Sequence, residues 1–143
     1  MNKSTIEEEI NKSENYYSTT VGDSMEPMLR NRRDIVVLNK PCCRLKKYDL
    51  PLYKRDSGKY VLHRILKVRS EDYVICGDNR WQREFGITDN HVIGVVKGFY
   101  RNNKYIEVTN WKYLLYVHII CDFFYVRTFI IRARSLYRKI VKK

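Results

Sequence analysis

The chain has 143 residues, with 28 Lys and Arg against 16 Asp and Glu, and a formal net charge of +12. That length supports one domain with a real core and leaves room for an appendage, not for a second domain. Its four Cys form no C-x-x-C pair and no His stands at metal spacing, so neither zinc nor a disulfide framework is expected, and a reducing compartment follows.

Residues 1–20 carry a net charge of −2 and no apolar run. They read as a flexible leader rather than a secretory signal, too short for a separate DNA-reading domain. The next stretch is Val21-Gly22-Asp23-Ser24-Met25-Glu26-Pro27-Met28-Leu29. Gly22 permits a sharp turn. Glu26 and Pro27 suit the first turn of a short helix, whose free N–H groups would point back toward Ser24. Ser24 is then either a helix cap or a nucleophile beside backbone donors.

Strands follow. Arg32–Leu38 is β-branched and short. Tyr48–Tyr53 is a second candidate, which Pro51 places at an edge or a bulge. Lys59–Val68 is the longest; at period 2, Val61, His63, Ile65 and Lys67 share one face, and Arg64 lies on the other. Tyr73–Cys76 completes a hairpin, and Gly77-Asp78-Asn79-Arg80 is a tight turn. Residues 81–90 read as a loop, before strands His91–Tyr100 and Tyr105–Val108. The pattern predicts a mainly β fold: a compact, mostly antiparallel β domain over residues 21–110.

From Trp111 the periodicity turns helical, giving a basic amphipathic helix over residues 111–143. Residues 112–143 carry a net +7. Asp122 and Arg127 interrupt the apolar run and argue against a transmembrane span. Peripheral membrane contact, docking on the β domain and docking on a second subunit all remain open.

Three short boxes stand in order: Ser24-Met25-Glu26-Pro27, Val61-Leu62-His63-Arg64-Ile65, and Gly77-Asp78-Asn79. Together they resemble the superfamily of signal peptidase I and LexA-like serine peptidases, over roughly residues 18–100. A His at the base position is similar to the endoplasmic-reticulum-type branch; the bacterial signal peptidases and LexA-like proteins carry Lys there. The resemblance implies Ser24 as nucleophile and His63 as general base. It also implies a structural pair of Arg64 with Asp78. The acid that would orient His63 stays open among Asp78, Glu84 and Asp89, with Asp78 favoured as brace and Glu84 as orienter. His91 and His118 match no box.

Three features depart from the family pattern. Gly22 stands where signal peptidases often have a hydroxyl donor to the oxyanion. The acid after Gly77-Asp78-Asn79 is not in a fixed place. No apolar anchor opens the sequence, so a cytoplasmic site is expected rather than removal of secretory signals. An imidazole near its reference value predicts activity falling as the pH drops from about 8 to 5.

The expected function is therefore a serine endopeptidase acting on a peptide or protein, without metal or organic cofactor. The alternative is a noncatalytic basic module for nucleic acid or anionic membrane. Nucleic acid is disfavoured because the 12 Tyr are scattered and no nucleic-acid motif occurs. A self-cleaving regulator is disfavoured by the short leader and by the lack of an Ala-Gly site before Ser24.

Overall fold

A seven-residue helix opens the computed structural model, which describes residues 4–142. This helix, α1 (Ile6–Lys12), starts in a reciprocal capping box between Thr5 and Glu8, with Glu7, Glu8 and Glu9 in its first turn. Ile10 is buried against Gly94, and Glu7 accepts from Lys54 Nζ (3.0 Å) and Tyr60 Oη (2.8 Å). The strand β1 (Tyr16–Thr19) then pairs antiparallel with β2 (Ile35–Asn39). Residues 6–19 are thus ordered elements of the fold, not a flexible leader. One apolar anchor in seven residues gives too little periodicity to read in advance.

The remaining strands are β3 (Pro51–Lys54), β4 (Tyr60–Leu62), β5 (Arg64–Val68), β6 (Tyr73–Cys76), β7 (Glu84–Ile87), β8 (Val92–Arg101) and β9 (Lys104–Glu107). They build two antiparallel sheets. One has the order β1-β2-β8-β3-β4, with β9 on the far half of β8; the other is β5-β6-β7. The mainly antiparallel β architecture with C-terminal helices is therefore present.

The longest predicted strand is divided. Residues 60–62 belong to the first sheet, residues 64–68 to the second, and His63 is the single residue between them. Val61 and Ile65 are both buried, so the alternation survives while the ladder changes partner. Pro51 is not on an edge: β3 lies between β4 and β8. Pro51 is the first residue of its strand, next to a register shift at Leu52/Tyr53, where a missing N–H is tolerated. The predicted loop 81–90 contains β7, whose left-handed Gly86 breaks the usual strand signal and donates its N–H to Asp72 (2.7 Å).

The C-terminal segment is two helices, α2 (Trp111–Asp122) and α3 (Phe124–Val141), meeting at 81°. Asn110 caps α2 through the Lys112 N–H (3.0 Å). Tyr113, Val117 and Cys121, at i, i+4 and i+8, are buried with Met25, Leu29 and Phe99 in the larger core cluster. The expected boundary at residue 110 therefore does not hold, because α2 completes the β domain's core. The smaller cluster gathers Tyr53, Val61, Ile65, Tyr73 and Ile75 between the sheets.

Candidate active site

Ser24 lies in a run of turns, not at the start of a helix. Glu26 N–H donates to Asp23 O (3.1 Å) and Leu29 N–H to Met25 O (2.9 Å). Met25, Met28 and Leu29 are all buried, and Glu26 turns its carboxylate back onto the Asn31 N–H (3.2 Å). Met25, Met28 and Leu29 anchor this run of turns onto the core. Gly22 has φ +97, a conformation that a side chain would strain, and its N–H is taken by Asn31 Oδ1 (2.9 Å). Among the described residues the Ser24 N–H donates no hydrogen bond, which leaves it as a backbone donor for an anion.

The turn after β6 clamps this segment. A Cβ added at Gly77 would stand 2.7 Å from the Ser24 carbonyl oxygen and 3.2 Å from His63 Cδ2. Only glycine lets the three segments meet there. Asn79 N–H donates to Ser24 O (2.8 Å) and Asn79 Nδ2 to Asp23 O (3.1 Å). Arg80 pairs with Asp23 (2.5 Å).

Asp78 faces inward. It receives Arg64 Nε and Nη2, each at 2.8 Å, in a fully buried bidentate pair. Arg64 Nη1 continues to Tyr113 Oη (2.9 Å) and Tyr48 O (3.1 Å), so α2 supplies one of its partners. Asp78 braces the Arg64 guanidinium and not His63, as its place on the opposite strand face requires.

His63 is half-buried and lines the same groove as Ser24. Its Cδ2 edge faces Gly77, while Nδ1 lies 3.4 Å from Tyr53 Oη. Tyr53 Oη is 2.8 Å from Glu84 Oε2, and Arg55 grips the same carboxylate at 2.8 and 2.6 Å. Burial raises Glu84's affinity for a proton, but the Arg55 and Tyr53 donors outweigh it and hold the carboxyl below its ordinary value. Burial and the neighbouring Glu84 push the Tyr53 phenol far up, so it keeps its proton. That proton goes to Glu84, which leaves the phenol oxygen to accept from His63 Nδ1–H. The tautomer follows: Nε2 is the unprotonated nitrogen.

Burial drives the His63 pKa down to about 4. Glu84 opposes this, and Arg55 and Arg80 reinforce it. The imidazole is therefore neutral throughout the neutral range, and the fall of activity expected between about 8 and 5 moves to lower pH.

Ser24 and His63 share one groove of about 730 Å³. Strands of the larger sheet line it, β1 with Tyr16 and Ser18, β2 with Val36 and Leu38, β3 with Leu52 and β4 with Tyr60 and Leu62; Glu84 and Arg80 line it too. Among the described residues, Ser24 Oγ and His63 Nε2 have no hydrogen-bond partner, as is common before substrate closes a site.

Asp89 is not brought to His63. It holds Arg44 (3.0 Å) and the Tyr73 hydroxyl instead. His91 bonds Asp56 and His118 bonds Asp122, each at 3.0 Å. Tyr53 and Arg55 were not foreseen, because a strand Tyr reads as core and an Arg before a turn as surface. No family model, curated protein or solved structure matches the chain.

Proposed function

We propose that the protein is a serine endopeptidase that cleaves an extended peptide with Ser24 as nucleophile and His63 as general base. The reading rests on one observation: a serine turn and a histidine meet at the same glycine, in a groove that both residues line. The order of the boxes, the Arg64–Asp78 pair and the His at the base position support kinship with the endoplasmic-reticulum-type branch of the signal peptidase and LexA-like superfamily.

The steps follow from the groups present. A peptide laid beside the free edge of β1 presents its carbonyl to Ser24. Ser24 Oγ attacks the carbonyl carbon while its proton passes to His63 Nε2. The developing oxyanion meets the Ser24 N–H. The imidazolium keeps its Nδ1–H on Tyr53, whose phenol stays on the Glu84 carboxylate. Nε2 then gives its proton to the leaving amine as the C–N bond breaks, leaving an ester on Ser24. Water attacks that ester, its proton goes to Nε2, the ester C–O bond breaks, and Ser24 recovers its hydroxyl proton.

The test is cleavage of a diverse peptide mixture, with products read by mass spectrometry. The parent should release a defined product set, absent with Ser24→Ala and with His63→Ala. Products unchanged in either purified, folded variant would refute the reading.

A further inference from the structure

We propose that α3 is a docking helix for the surface of an anionic lipid bilayer. At 100° per residue, nine successive positions around α3 are apolar: Tyr125, Leu136, Phe129, Ile140, Ala133, Val126, Tyr137, Ile130 and Val141. They fill an arc of about 160°. Arg132 and Lys139 border one side of that arc, and Arg134 and Arg138 the other. No acidic residue occurs after Asp122.

The fold decides which way the arc faces. Arg127, on the polar side, is buried and donates to Gly77 O (3.2 Å) and Asp78 O (2.9 Å). The helix therefore sits on the protein by its polar side, which is the reverse of a core helix. The apolar arc is left outside, with Phe129 74%, Ile140 72% and Tyr137 67% exposed. Arg132, Arg134, Arg138 and Lys139 are exposed with it.

A bilayer of anionic lipid answers both halves of this surface. The acyl boundary takes the aromatic and aliphatic side chains, and the headgroups take the flanking cations. A second copy of α3 answers only the first half, since pairing two arcs would set like charges against each other along both rims. No single helix among the described residues is long and apolar enough to cross a membrane. The helix lies along the surface, about 27 Å long for its 18 residues. It holds the 77–80 turn about one helix diameter, roughly 10 Å, above the lipid. The inference does not depend on the chemistry in the groove.

The experiment is flotation of the full chain with vesicles of equal parts phosphatidylcholine and phosphatidylglycerol, and with phosphatidylcholine alone, at low and high salt. The parent should float with the anionic vesicles, at least tenfold less with the neutral ones, and less again as salt screens the headgroups. The double variant Phe129→Glu with Leu136→Glu should lose flotation while keeping the parental circular dichroism and melting temperature, because both side chains face solvent. Arg132→Glu with Lys139→Glu should weaken it by about tenfold or more. The proposal is overturned if the parent does not float with anionic vesicles, or floats equally with neutral ones. It is equally overturned if both double variants float like the parent, or if sedimentation shows a concentration-dependent dimer in place of lipid binding.

Discussion

A phenol carries one proton, and Tyr53 commits it to Glu84; the tautomer of His63 depends on that commitment. Tyr53→Phe removes the acceptor for Nδ1–H and leaves Glu84 held by Arg55 alone. Turnover should fall about tenfold to a hundredfold with KM little changed, a split read in steady-state kinetics, since the group acts on the base and not on the substrate. The pH profile is a second test at this scale. His63 titrates near 4, so the rate should be flat from about 8 to 5 and fall only below that. A fall centred at the reference value of 6.5 would contradict the burial argument. Ser24 and His63 were legible in the sequence as candidates because each sits inside one of the ordered boxes. Tyr53 was not, because nothing in Leu52-Tyr53-Lys54 distinguishes a core phenol from one that orients a histidine; only the register Tyr53↔Val61 puts it beside residue 63.

Among the elements, the strand break at His63 and the turn 77–80 carry the site. The period-2 pattern of residues 60–68 was legible, yet the change of sheet was not, because alternation records which side is buried and not which strand is the partner. Gly77→Ala should abolish the proposed cleavage by displacing the Ser24 backbone and crowding the His63 ring. The added carbon meets the Ser24 carbonyl at 2.7 Å, backbone that the Asn79 hydrogen bond fixes, so catalysis and melting temperature should both drop. Asp78→Asn breaks a fully buried pair and should cost about 3–5 kcal/mol in denaturant unfolding. The helices separate by truncation. A chain ending at residue 110 loses Tyr113, Val117 and Cys121 from the core and should not fold. A chain ending at residue 123 keeps them and should fold with reduced stability, having lost Arg127 from the 77–78 turn. Helical periodicity after Trp111 was visible in the sequence. The corner at Phe123 was not, since neither Gly nor Pro marks it and apolar residues resume directly after Asp122.

The whole molecule responds to acid through groups that the native state holds deprotonated. Folding lowers the His63 pKa from 6.5 to about 4, so between those values the unfolded chain binds the extra proton and stability falls as the pH falls. Asp34, fully buried with Arg30 and Arg101, is lowered from 3.8 to about 2; its contribution is present above 3.8 and disappears as the pH drops toward 2. The melting temperature should decline from pH 6.5 downward, and His63→Gln should flatten the first part of that decline. At this scale the antiparallel β class was readable from short strands at even spacing. The groove was not, because it brings together residues of four strands of one sheet with the Ser24 turn and Arg80, which lie far apart in sequence. In the proposed function, this groove holds a serine made nucleophilic by a neutral histidine. Labelling with a fluorophosphonate, followed by peptide mass mapping, tests it most directly. One adduct is expected, on Ser24, lost in Ser24→Ala and slowed at least a hundredfold in His63→Ala with the fold intact. No adduct, an adduct on another residue, or labelling of Ser24 at the parental rate without His63 would contradict it.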